Sequence, residues 1–303
     1  MRLTAENITK SFGEKQVLKG INLNVESGRA LGLLGRNGAG KTTMIRIIMQ
    51  VFHADSGRVL LDGKPLDTNR VRIGYLPEER GLYPKKVILE QLLYFAALQG
   101  VPARQAKKEA LRLLDRLGMG EYANKKLDTL SKGNQQKIQL VATLICDPQI
   151  VILDEPFSGL DPVNAMLLEE LVKECIRQGK LVFFSSHQMN YVEEFCNEIA
   201  ILNQGKIVLS GNIREIKRGY ERNQLVISTQ QLENVQRWAE QLPAELVESA
   251  ELKEGELRVT LANASRKDAF LTALTGQGFD IDGFRVYEPS LNDIFVSYTG
   301  GAV

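Results

Sequence analysis

The chain has 303 residues, of which 25% are charged and 44% apolar, and its formal net charge is +1. That length predicts two domains and that composition an ordinary globular fold. The near-zero charge argues against an electrostatic nucleic-acid partner, so none is expected. Cys146, Cys175 and Cys196 are far apart and make no C-x-x-C pair, and there are only two histidines. This excludes a recognisable zinc site and predicts buried thiols in a reducing cytosol. Met1-Arg2-Leu3 leads straight into polar sequence, so no signal peptide is expected. No apolar run is long enough to span a bilayer, so any membrane role must run through another chain.

Residues 2–9 and 21–25 alternate apolar and polar, as half-buried strands do. In the connection between them, Phe12 is a candidate for stacking on a base, although a lone aromatic is more often core packing. Ala30-Leu31-Gly32-Leu33-Leu34 reads as a buried strand and 43–49 as a helix. Between them, Gly35-Arg36-Asn37-Gly38-Ala39-Gly40-Lys41-Thr42-Thr43 fits G-x-x-x-x-G-K-[ST], the phosphate-binding loop. The chemistry needs that spacing. Glycines let successive N–H groups curl toward an anion. Lys41 supplies a point charge for the β- and γ-phosphates, the Thr42 hydroxyl is a Mg²⁺ ligand, and the helix start favours negative charge.

A strand near 57–61 follows, turning at Asp62-Gly63, and 72–80 is a strand running into a loop that holds Glu78. Residues 87–99 and 103–118 read as helices, the second with Ala106, Ala110, Leu113, Leu114 and Leu117 at core-packing spacing. Ser131 caps another helix through about Cys146, whose free N–H groups make a second anion site. The run 149–156 is an apolar strand ending in Asp154 and Glu155. A strand apolar on both faces implies a parallel sheet covered by helices, and its C-terminal end is where such folds bind ligands. Two carboxylates there, with a phosphate loop upstream, suit metal binding and general-base chemistry. Residues 158–162 turn into a helix over about 163–178, and 181–184 is the next buried strand. His187 follows it on the same predicted sheet edge as Asp154 and Glu155; His53 has no such context. Residues 199–202 and 206–209 form a hairpin.

In this order the motifs resemble the ATP-binding subunits of ABC transporters over about residues 2–218. The resemblance implies ATP and Mg²⁺ as ligands and an α/β P-loop ATPase fold. That fold has a mostly parallel sheet, an antiparallel β subdomain and a helical subdomain over about 80–145. Phe12 matches the adenine-stacking aromatic and Val17 its apolar neighbour. Gly35 through Thr43 matches the Walker A loop, with Thr42 on the metal, and Glu78 occupies the Q-loop position. Leu130 to Gln135 matches the signature, whose Ser131, Gly133 and Asn134 complete the ATP site of the opposite subunit. Asp154 matches the Walker B metal ligand, Glu155 the residue that polarises the attacking water, Asp161 the D-loop aspartate and His187 the switch histidine. Two motifs depart from the pattern: Glu78 stands where glutamine is usual, and Lys132 and Asn134 stand in a signature usually written L-S-G-G-Q. The resemblance implies a dimer closed by ATP that drives a separate permease chain at the cytoplasmic face of the membrane, with export favoured.

Two rival readings fail on the residues. Ribosome-acting relatives carry two ATPase halves, whereas this chain has one phosphate loop, and no sustained heptads point to a DNA-acting coiled coil. Asn124-Lys125-Lys126-Leu127-Asp128 puts its acid one residue too late for the N-K-x-D of a guanine reader. A soluble ABC ATPase acting on a non-membrane partner remains the alternative.

Residues 218–224 are polar and predict a linker, dividing a domain over 1–219 from one over 222–303. Beyond it the expected order is strand 225–228, helix 230–242, strands 245–252 and 256–261, helix 266–276, strand 279–287 and a terminal helix capped by Ser290. That βαββαβ order is the ferredoxin-like pattern. No catalytic constellation is visible in it.

Overall fold

The computed structural model describes residues 1–79, 81–157, 160–253 and 255–300. Ser158, Gly159, Arg80 and Glu254, which the readings above include, lie outside the described residues. The chain divides into two compact units, 1–213 with the residues from Ile294 on, and Arg214–Asp293.

In the first unit, β1 (Arg2–Phe12) and β2 (Lys15–Glu26) form an antiparallel hairpin, from Arg2↔Glu26 to Phe12↔Lys15. The sequence expected a longer connection here. Instead the pairing runs to a two-residue turn in which Gly13 takes a left-handed φ of 59°, so Phe12 ends a strand rather than sitting in a loop. β3 (Ala30–Leu34), α1 (Lys41–Ile48), β4 (Ser56–Leu61), β5 (Lys64–Pro65) and β6 (Ile73–Leu76) come next. β2, β1, β4 and β5 make one antiparallel sheet. α2 (Ile88–Leu98), α3 (Ala103–Arg116) and α4 (Lys132–Leu144) form the helical part. Then come β7 (Ile150–Asp154), α5 (Pro162–Arg177), β8 (Leu181–Ser185), α6 (Met189–Phe195), β9 (Glu198–Asn203) and β10 (Lys206–Asn212), and α7 (Ile213–Arg218) leads into the second unit. Neither α6 nor α7 was expected.

The second sheet has the order β10-β9-β3-β8-β7-β6. Its inner pairings, β9 with β3, β3 with β8, β8 with β7 and β7 with β6, are all parallel. Every residue of β3, β7 and β8 is buried, which is what the continuous apolar runs require. Met44, Ile45, Ile47 and Ile48 of α1 share one core with Leu3, Ile8 and Ile21 of the hairpin and with Ile150, Ile152 and Phe183 of the parallel strands. Because all those strands point the same way, their C-terminal ends lie along one edge.

The second unit holds β11 (Gln224–Ser228), α8 (Leu232–Glu240), β12 (Val247–Lys253), β13 (Glu256–Leu261), α9 (Lys267–Thr275) and β14 (Gly283–Val286). Its sheet has the order β12-β13-β11-β14 with antiparallel pairing throughout, the ferredoxin-like arrangement. β14 is shorter than expected because Leu225–Ser228 offers it only four partners. α10 (Leu291–Thr299) follows. Two boundaries differ from the sequence reading. Contacts divide at Ile213 and Arg214 rather than at the polar run after Arg218, and the residues from Ile294 on group with the first unit.

The three cysteines are free and buried. Burial pushes the Cys175 thiol up to about 11 and the Cys196 thiol well above its usual range. The native protein should therefore resist thiol reagents at pH 8 and react fully only on unfolding. Phe270 is fully buried at the centre of the second core, with the Trp238 ring 5.7 Å away. Phe270→Ala should cost about 3–5 kcal/mol in the second unit. ATP binding by the first unit should persist, and its loss in a soluble, folded variant would contradict two separate cores.

Candidate nucleotide site

The phosphate loop leaves the buried end of β3 and enters α1. Two contacts set its shape. A carbon added at Gly35 would stand 2.5 Å from the Leu202 carbonyl oxygen, so β9 fixes how close the loop runs to the sheet. Gly40 has φ 114°, and a carbon there would meet Leu18 Cδ2 at 2.7 Å. Only glycine meets both demands. Ala39 is buried, while Arg36, Asn37, Gly38 and Thr42 are exposed and Thr43 is half-buried. Lys41 Nζ donates to the Gly35 carbonyl at 2.5 Å, so its charge is folded back over the loop. Val17 packs against the core beside this loop. Phe12 is 51% exposed, with Phe52 edge-on at 5.6 Å and Lys10 Nζ 5.7 Å from both rings.

Asp154 and Glu155 stand at the C-terminal end of β7, with Ser185-Ser186-His187 beside them at the end of β8. Both carboxylates are buried and both are satisfied. Asp154 accepts the Ser185 hydroxyl on Oδ1 and the Tyr75 hydroxyl on Oδ2, the latter at 3.4 Å. Tyr75 is pushed up to about 12, by burial first and then by the Asp154 charge, so it remains a donor near neutrality. Glu155 has φ 49°, a left-handed backbone that turns its side chain away from the strand direction. Its Oε1 accepts the His187 main-chain N–H at 2.8 Å and lies 2.9 Å from His187 Nδ1. Its Oε2 accepts the Ser186 hydroxyl at 3.1 Å. The His187 side chain is 72% exposed, so it links the buried acid to solvent.

Glu78 is exposed in the loop after β6. Gln139 of α4 donates to the carbonyls on either side of it, Pro77 at 3.3 Å and Glu79 at 3.2 Å. Ser131 caps α4, accepting the Asn134 N–H at 3.4 Å. A carbon added at Gly133 would meet Asn164 Nδ2 at 3.5 Å and Leu160 Cδ2 at 3.8 Å, so the contacts of this turn are with the start of α5. Asp161 caps α5 through the Asn164 N–H at 3.0 Å, and that bond holds its carboxyl below the usual range.

The sheet thus brings Gly35 to Thr43, Asp154, Glu155, His187 and the Glu78 loop to one edge. Ser131, Gly133, Asn134 and Asp161 form a separate cluster with Asn164. The sequence reading missed Tyr75, Ser185, Ser186 and Asn164. The run Ser185-Ser186-His187 was visible, but a serine after a strand carries no signal until its partner strand is known. For a metal, Asp154, Thr42 and Glu78 would offer only hard oxygen donors, and no group of three or more His, Cys, Asp or Glu able to hold a metal occurs among the described residues. Few protein ligands, all oxygen, suit Mg²⁺, which keeps its waters and takes substrate phosphates.

The chain is 40% identical to YhaQ, an ABC transporter ATP-binding protein of Bacillus subtilis, over 306 residues and 98% of each chain. It belongs to the ATP-binding subunits of ABC transporters. The ABC transporter family profile matches residues 18–158, and residues 211–299 match the C-terminal domain of DrrA1-3-like ATP-binding proteins. The linearmycin resistance ATP-binding protein LnrL of Bacillus subtilis is 31% identical, again over 98% of each chain. A solved ATP-binding subunit of an ABC transporter superposes with a TM-score of 0.67 at 27% identity, covering 72% of this chain and 92% of that one. ABC ATP-binding subunits are ATPases that power transport, dimerise and work with membrane permeases. No helix among the described residues is long and apolar enough to cross a membrane.

For an ABC subunit with this loop, Lys41→Ala should abolish ATP binding while leaving the fold intact. The lysine is anchored only at its tip, and α1 keeps its buried face. A parental affinity in a filter assay would contradict the role of Lys41.

Proposed function

We propose that this ABC subunit binds Mg²⁺-ATP on the Gly35–Thr43 loop, hydrolyses it with Glu155, and drives a separate permease. The observation that carries the reading is the meeting of that loop with Asp154, Glu155 and His187 at one edge of the parallel sheet. Phosphoryl transfer to water is mostly positioning and charge stabilisation. The backbone N–H groups of the loop, Lys41 and the start of α1 bind the phosphates. Phe12 offers its exposed face to the adenine, and Val17 supports it.

Asp154, with Thr42 and Glu78, would hold Mg²⁺, which would supply positive charge against the phosphates. Glu155 orients the attacking water and takes its proton. His187, joined to Glu155 on the solvent side, steers that carboxylate as the γ-phosphate arrives. Ser131, Gly133 and Asn134 of one subunit close the ATP site of the other, with Asp161 at the junction.

Export is favoured by relatives named for linearmycin resistance and for Nod factor export, the latter an ATP-binding protein I of Burkholderia lata, 32% identical over 209 residues. The subunit then sits at the cytoplasmic face of the membrane through its permease. The docking region is the loop after Glu78 with α2. Tyr83, Tyr94 and Leu98 are 53%, 52% and 65% exposed there, and an apolar groove of about 410 Å³ opens between Leu82, Phe95, Leu98 and the α4 residues Gln139, Ala142 and Thr143. Leu92 is buried and Leu93 and Phe95 are half-buried, so the helix packs inward on one side only.

Glu155→Gln should bind ATP with parental affinity and lose about 10²–10⁴-fold in hydrolysis rate. Parental turnover would remove Glu155 from the chemistry. Tyr83→Asp should leave ATP binding intact and weaken recovery of a membrane protein in a pull-down. Unfolding of the isolated subunit would instead make Tyr83 a core residue and end the docking claim.

A further inference from the structure

Asp154 is held from both sides of its strand. β7 lies between β8 and β6, and each neighbour sends one hydroxyl to the carboxylate. Ser185 is the direct partner of Asp154 in the parallel register, and its Oγ donates to Oδ1. Tyr75 pairs with Ile152 two residues upstream, and its longer side chain reaches forward to Oδ2. Ser185 is 1% exposed and Asp154 5%, so water does not readily replace the serine donor. The neighbouring acid does not share them. Glu155 takes its own donors, the Ser186 hydroxyl and the His187 N–H.

We propose that Tyr75 and Ser185 are positioning residues for the metal, a two-hydroxyl clamp that fixes the Asp154 carboxylate in one orientation before nucleotide arrives. The inference rests on the assignment of Asp154 to Mg²⁺. Each carboxylate oxygen offers two acceptor directions. One hydroxyl on each oxygen leaves a second direction on each open and stops the group rotating. An unclamped carboxylate at this depth has to be ordered by the ion itself, which weakens ion binding. Neither hydroxyl touches substrate in this role.

The test is the Mg²⁺ dependence of binding of a fluorescent ATP analogue to the full chain, alongside binding in EDTA. Ser185→Ala and Tyr75→Phe remove the hydroxyls and keep the packing. Tyr75→Phe should raise the half-saturating Mg²⁺ by about 2–5-fold, since its bond is long and its residue only half-buried, and Ser185→Ala by roughly tenfold, since it is the fully buried donor to the carboxylate. Binding in EDTA should not change, and Ser185→Thr, which restores a hydroxyl, should return the parental curve. A purely structural role would lower both kinds of binding together and would overturn the clamp. If Asp154→Asn loses the Mg²⁺ dependence while Ser185→Ala and Tyr75→Phe both superimpose on the parent, the clamp alone is wrong. If Asp154→Asn keeps the parental Mg²⁺ curve, the metal assignment falls and the clamp with it.

Discussion

The site depends on one constraint, the parallel pairing of β3 with β8 and of β8 with β7. Parallel strands end on the same side, so everything that follows them in the chain must begin there. β3 delivers the phosphate loop, β7 the two acids, β8 the serines and His187, and β6 the Glu78 loop. A parallel strand in the middle of a sheet is buried on both faces, and β3, β7 and β8 are apolar at every position up to the point where chemistry starts. The abrupt change from apolar to charged at Leu153–Asp154 is therefore a change of layer, from core to edge.

That placement also solves a problem of charge. Two adjacent buried carboxylates repel and lose hydration, and each needs donors of its own. The backbone turn at Glu155 separates them. Asp154 continues the strand and takes hydroxyls from the flanking strands. Glu155, in a left-handed conformation, swings to Ser186 and His187. One acid is thus held rigidly among strands, while the other is tied to an exposed histidine at the rim. The proposed roles, a fixed metal ligand and an adjustable group for the attacking water, call for that difference.

The phosphate loop, the Asp154–Glu155 pair, the Ser131 cap and the ferredoxin-like order of the second unit were legible because each is local. Spacing of glycines, a strand's apolar run and a capping serine declare themselves within ten residues. The clamp on Asp154 was not legible, because Tyr75 and Ser185 reach it from strands 79 and 31 residues away in the chain. The β1–β2 turn was missed for another reason. Lys10, Ser11, Glu14 and Lys15 are polar, as loops are, yet an edge hairpin with one solvated face tolerates such residues in its strands. The short β14 was set by what β11 left available for pairing, and the grouping of the residues from Ile294 on with the first unit by packing with distant residues.

Within one chain the signature turn at Ser131 and the phosphate loop belong to different clusters, and the proposed ATP site needs both. The direct measurement is complementation between two defective subunits. Lys41→Ala lacks a phosphate loop and Ser131→Arg lacks a usable signature, so each alone should be inactive. Mixed in equal amounts, they form a pair in which the loop of one meets the signature of the other. The account expects ATP hydrolysis to reappear in the mixture. A mixture no more active than either variant alone would contradict a site shared between two copies.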